Sequence, residues 1–365
     1  MPLENVIDTT ENCRYCLMCR HVAPVGHVTF QETYTPRGVA LTVASQRRGL
    51  IDWNAESVGI IYSESDSGES RAHCVTDQPF HEAIAAVRAE IAGAGLAPQI
   101  VYDVHKKLEQ WRTPFAEQSV SPTTETGDIA LLLTDEATYL WEGIEDAILR
   151  LLDAIGIHPV VIGRGRSNGY LACSLGFPET AARQATMILD ELRAAGSRQL
   201  IVIAPGDYYA VSQLYDERLG VSFPEDIELI DLTVLLSKQL DARKLSIKKS
   251  SESAIYAYID PTHTVRTPHR VDAPRVLTQA VMNGNQRELF WRRERAHPVG
   301  NTALQFTHPD ISEKLTRARL QDAKNTGAEL IICEDPATLH HLRRYADEYD
   351  LRIQGLYECL AHHLN

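Results

Sequence analysis

From residue 128 onward, short apolar runs alternate with stretches whose apolar residues recur every three or four positions. DIALLL (128–133), PVVIG (159–163), QLIVIAP (199–205) and IELIDL (227–232) read as strands, with helical patterns at 139–155, 178–195, 207–219 and 231–242. After a basic, polar break, KLSIKKSSES (244–253), the order recurs. AIYAYIDP (254–261), ELFW (288–291), ELIICEDP (329–336) and LRIQGL (351–356) alternate with helices at 272–282, 310–326, 337–348 and the C-terminal end. Strands that are apolar throughout are covered on both faces, and helices between them supply the crossovers of a parallel sheet. GSRQLIVIAPGDYYAVSQLYDE and GAELIICEDPATLHHLRRYADE match in order of elements. An internal duplication is the simplest account, the alternative being two unrelated α/β units of similar length. The expected fold class is therefore α/β, with two parallel-sheet repeats at 128–247 and 253–365.

Residues 1–115 read differently. They contain a helix-compatible stretch at 37–50, an acidic polar loop at 63–70, a helix at 80–92 with Ile84, Val87 and Ile91 on one face, and a second helix at 99–112. No strand pattern stands out, so a separate helical domain is expected. QSVSPTTETG (118–127) is polar and aperiodic, as a linker would be.

Composition narrows the class. The net charge of −13 argues against nucleic acid or anionic membrane as a partner, since both require clustered Lys and Arg. No apolar run approaches the roughly 20 residues of a membrane span, and the start MPLENVIDTTENC lacks the regions of a signal peptide. A cytoplasmic protein without a transmembrane segment is expected. Seven cysteines, three of them within seven residues, then point to metal or redox chemistry rather than a disulfide framework.

CRYCLMC is C-x2-C-x2-C, a spacing that wraps one face of an iron–sulfur cubane and leaves one iron for a remote thiolate. Zinc, which more often takes two separated C-x2-C pairs, is the second reading, and thiols that merely pack the third. Two-cluster ferredoxins continue such a run with x3-C-P, and that fourth cysteine serves the other cluster. Here Ala23 stands in the fourth place before a retained Pro24. A degenerate second run ends at Cys74, and counting back by the same spacing gives Ser70, Ser67 and Glu64. Loss of one cluster would release Ala23, Glu64, Ser67 and Ser70 while sparing Cys74. The expected ligands of one [4Fe–4S] cluster are thus Cys13, Cys16, Cys19 and Cys74. Cys173, Cys333 and Cys359 lie singly on strand or helix patterns and are expected to pack the core.

The short ferredoxin-like run, the YTPRG that follows it and the duplicated α/β region resemble the iron–sulfur subunits of glycolate oxidase, anaerobic glycerol-3-phosphate dehydrogenase, lactate utilisation proteins and heterodisulfide reductase, which join a helical ferredoxin domain to two cysteine-rich CCG repeats. DPTHTVR resembles that family's DPCHxGR segment, with Thr262 in the cysteine place. Pro298, Val299 and Gly300 stand where CCG is expected, and Asp335 and Thr338 at the later pair. In the first repeat Ser167 and Asn168, then Ala204 and Asp207, hold the corresponding places. Such residues together cannot replace thiolates on iron, so disulfide reduction and a repeat-bound cluster are not expected. The resemblance implies an electron-transfer subunit in a hetero-oligomer with a flavoprotein dehydrogenase, whose FAD or FMN oxidises a 2-hydroxy acid, polyol or amine on the partner chain.

Outside the cysteines, His263 and Arg266 lie past the end of a predicted strand, where parallel sheets form ligand crevices. With Arg270, His297 and Asn301 they are candidates for a polar anion pocket between the repeats, or for a hydrogen-bonded loop surviving from an ancestor that used the site. FWRRERAH (290–297) is either a docking patch or a solvated strand end. GRGRSNG is not a dinucleotide fingerprint, and no P-loop, G-x-S-x-G or H-E-x-x-H occurs. No residue is expected to be catalytic. The alternatives to a relay are a catalyst or ligand binder using the polar pocket, and a scaffold whose cluster is structural or senses redox state.

Overall fold

The computed structural model describes residues 8–365, so the first seven residues of the expected 1–115 domain lie outside it. Up to Trp111 the described chain is helical: Met18–Val22 (3-10), Pro24–Thr29, Pro36–Arg47, Ala55–Tyr62, Glu69–Ala72, Phe80–Gly93 and Gln99–Trp111. Local chemistry sets the boundaries. Thr35 caps Pro36–Arg47 by accepting from the Gly38 amide, with Pro36 in the first turn where its missing N–H costs nothing. Gly38 has no alternative, because a Cβ there would lie 2.3 Å from the Glu32 carbonyl oxygen. Asn54 and Ser57 form a reciprocal capping box at the start of Ala55–Tyr62. Phe80–Gly93 is buried well beyond the face formed by Ile84, Val87 and Ile91. Its Arg88 is 1% exposed and donates to the carbonyls of Ile61, Glu64 and Ser174 at 2.8–3.2 Å. One guanidinium thereby ties three segments together, including one from the first repeat.

The rest of the chain is two four-stranded parallel sheets. Strands β1 (Ile129–Leu132), β2 (Val160–Ile162), β3 (Gln199–Val202) and β4 (Glu228–Asp231) lie in the order β2-β1-β3-β4. Strands β5 (Ser253–Tyr258), β6 (Asn283–Arg287), β7 (Leu330–Cys333) and β8 (Arg352–Gly355) lie in the order β6-β5-β7-β8. The two orders are the same, as duplicated α/β repeats require. Seven of the eight strands fall on the apolar runs. The exception is β6: NGNQR pairs with β5, whereas ELFW follows it outside the sheet. An edge strand paired on one side and largely exposed needs no apolar run, so periodicity pointed to the wrong neighbour. The helix expected at 139–155 is two, Asp135–Leu140 and Ile144–Asp153, separated at Gly143, whose φ of 82° suits glycine.

The sheets share a core. Leu131 and Ile201 of the first pack with Ile332 of the second and with Tyr357, whose hydroxyl donates to the Ile203 carbonyl at 2.6 Å. Gly355 ends β8 directly beneath Trp141, where an added Cβ would fall 1.9 Å from the indole ring. Cys173, Cys333 and Cys359 are buried in these cores, as expected of packing residues. No helix among the described residues is long and apolar enough to cross a membrane.

Candidate functional site

Cys13, Cys16, Cys19 and Cys74 line one cavity together with Arg14, Arg37, Ser70 and Thr76. Three of the thiols come from the loop and 3-10 turn at 13–19, and the fourth arrives just after Glu69–Ala72. All four are free, and Cys16 is exposed. Amide groups are aimed at the sulfurs: Tyr15 N donates to Cys13 Sγ at 3.4 Å, and Gln78 N to Cys74 Sγ at 3.5 Å. Burial raises the Cys13 thiol and pushes Cys19 up to about 11, against a hydrogen bond from the Arg37 backbone. Cys74 is also pushed up by burial, but Thr76 and the Gln78 amide pull it below its ordinary value. Arg37 braces the site, donating to the Tyr15 carbonyl at 3.2 Å while its Nε holds Glu32 at 2.9 Å.

Thiolates at about 2.3 Å from a tetrahedral zinc lie roughly 3.8 Å apart. No three of these sulfurs lie within 4.8 Å of one another. The donor set is one of four free thiols, soft ligands of the kind that hold transition metals.

The three places counted back from Cys74 are occupied by an interior polar network. Residues 63–70 are buried throughout, although the sequence reads as an acidic loop. Glu64 Oε1 faces His81 Nδ1 at 3.1 Å, and Ser70 Oγ pairs with His81 Nε2 at 2.9 Å. Asp66 takes Arg266 Nη2 at 2.9 Å and the Tyr170 hydroxyl at 2.7 Å. Burial works against a charged His81, but Glu64 outweighs it and raises the imidazole above its usual value. Among the described residues, Glu64, Asp66 and His81 are also the one His/Cys/Asp/Glu group whose ligand atoms crowd within 4.8 Å. Those atoms are already committed to one another, to Ser70, to Tyr170 and to Arg266. Two acidic side chains face an imidazole and a guanidinium, an arrangement that closes as a buried polar network.

The five residues expected to form an anion pocket do not converge. Only His263 and Asn301 line the small cavity between the repeats, with Ser167, Asn168, Asp207 and Asp335. Arg266 is spent on Asp66, its Nη1 also meeting the Asp66 carbonyl at 2.6 Å and His263 Nδ1 at 3.0 Å. Arg270 joins the two sheets, donating to Asp231 at 2.7 Å and Glu334 at 2.6 Å. His297 lies elsewhere, stacked on Trp291. The cavity is also acidic. Burial pushes Asp135 and Asp207 up to about 7 and raises Glu136 and Asp335. The polar groups of the lining are also already bonded: Asn168 donates to Asp207 at 2.8 Å, and Asn301 accepts from Thr262 behind it. Sequence reasoning passed over Asp135 and Glu136, whose place just past β1 was the available signal. Ser167, Asn168, Asp207 and Asp335, at positions matched to repeat cysteines, do meet here from both repeats.

No family model matches the chain, and neither does any curated protein. A crystal structure of a hypothetical protein from Helicobacter pylori is similar to it with a TM-score of 0.62 over 98% of this chain and 75% of that one, at 10% sequence identity, a likeness of fold alone.

Proposed function

We propose that the chain is the electron-transfer subunit of a flavin-dependent dehydrogenase complex, holding one [4Fe–4S] cluster on Cys13, Cys16, Cys19 and Cys74. The observation that carries this reading is the meeting of four free thiols, one of them remote in sequence, around a single cavity. When bound, such a cluster supplies one-electron relay, and hydride acceptance falls to FAD or FMN on a separate subunit. The amides of Tyr15 and Gln78 and the charges of Arg14 and Arg37 favour the more negative, reduced state and so raise the potential. Leu17, Met18 and Val75 are exposed apolar residues beside the thiols, and they offer a surface on which a redox partner can seat. Purification without oxygen should give about four irons per chain and a co-purifying flavoprotein. Stoichiometric zinc, or substrate turnover by this chain alone, would overturn the proposal.

A further inference from the structure

Ser70 and Phe80 line the cavity that holds the four thiols, and His81 stands immediately behind that wall. It follows Phe80 in the first turn of Phe80–Gly93 and is 3% exposed. Its Nε2 pairs with Ser70 Oγ at 2.9 Å, and its Nδ1 lies 3.1 Å from Glu64 Oε1. One hydroxyl therefore separates the imidazole from the cavity, and a carboxyl backs it on the far side. A hydroxyl both donates and accepts, so Ser70 can pass a proton between the cavity and His81.

The imidazole sits among charged and titratable groups from several elements. Glu64, Asp66 and Glu69 face it from the segment at 63–70, and Arg266 and His263 from the second repeat. Burial and Arg266 disfavour its charged form, while Glu64 and Asp66 favour that form and prevail. Histidine is the side chain whose ordinary proton equilibrium lies nearest neutrality. In a buried setting, a charge that appears one hydroxyl away moves that equilibrium further than it would in water.

We propose that His81 takes up a proton when negative charge arrives at the four cysteines, with Ser70 as the relay. The proposal rests on the reading of these cysteines as the ligands of a one-electron carrier. An electron enters from the reduced flavin of the partner chain, and a proton from solvent passes by way of Ser70 to His81. One negative and one positive charge are added, so the region keeps its net charge. When the electron leaves, the proton returns by the same route.

Anaerobic reconstitution of the full chain with iron and sulfide, then titration of its visible spectrum with dithionite between pH 6 and pH 9, tests the coupling. The midpoint potential should fall as pH rises above the ordinary histidine value of about 6.5. The slope should be at most about 59 mV per pH unit, the value for one proton per electron. His81→Gln, which keeps a hydrogen-bonding side chain, should flatten the slope with iron content unchanged. Glu64→Gln should move the sloping range to lower pH, because burial is then less opposed. A chain that takes up no iron fails the proposed function and the coupling with it. Iron bound at a potential independent of pH, or a slope that persists in His81→Gln, overturns the coupling alone. So does a slope abolished by Glu69→Gln and kept in His81→Gln. Should His81→Gln lose its iron, an unshifted range in Glu64→Gln overturns the coupling.

Discussion

Asp66→Asn is the sharpest test of how the helical domain is seated on the repeats. Burial pushes the Asp66 carboxyl up, but Arg266, helped by His81 and Arg88, outweighs that and holds it well below the usual carboxylate range. Removing one partner of a buried pair costs about 3–5 kcal/mol, because the other charge is left without compensation. Asparagine retains an acceptor oxygen, and the residue-66 carbonyl still takes Arg266 Nη1, so the lower end, about 3 kcal/mol, is expected at pH 7. The sign with pH follows from the depressed folded value. The carboxylate's contribution is full above the unfolded value near 4 and is lost as pH falls towards the folded one. Urea unfolding of wild type and variant from pH 7 to pH 3 should therefore show a gap that narrows below about pH 4. Asp135 and Asp207 titrate in the opposite sense but are common to both proteins and cancel in the difference. Asp66→Asn combined with Arg266→Met should cost less than the sum of the two single changes, since no lone charge remains buried. A gap under about 1 kcal/mol at pH 7, or one of equal size at pH 3, would refute the reasoning.

Cys74→Ser should lower bound iron and visible absorbance as severely as Cys16→Ser, while Cys173→Ala and Cys333→Ala leave both intact; silence in Cys74→Ser would remove residue 74 from the ligand set. Asp207→Asn should gain stability relative to wild type as pH rises. A folded value raised to about 7 gives stability that is full below about 4 and lost as pH rises through about 7, with a ceiling of roughly 4 kcal/mol. Denaturation at pH 5 and pH 8 measures it, and a difference independent of pH would count against the burial argument.

The fold was legible where burial is two-sided. QLIVIAP and ELIICEDP are apolar because both faces of β3 and β7 are covered, and periodicity finds such strands directly. The edge strand β6 was not, because pairing on one side leaves no compositional mark. The stretch 63–70 misled in the other direction: its Glu, Asp and Ser residues are read as solvated unless their partners are known, and His81, Tyr170 and Arg266 come from distant parts of the chain. The same limit scattered the expected anion pocket. Arg266, Arg270 and His297 were grouped by nearness in sequence to strand ends, but each found a different neighbour in space. That the four cysteines share one cavity was legible because the spacing of the first three is a local property, and Cys74 could be reached by counting.

The contact between Asp66 and Arg266 has a consequence for the thiols. Ser65 accepts from Thr302, and Asp66 is held by Arg266, so the second repeat fixes the segment that leads into Glu69–Ala72 and then Cys74. The fourth sulfur is thus delivered by a strap whose far end is fastened to another part of the molecule. If these thiols hold a group, linkage makes its affinity and the seating of the helical domain reciprocal quantities, each strengthening the other by the same free energy. Repeats that carry no thiol at their own matched positions still fix the segment that delivers Cys74 at the other end of the chain.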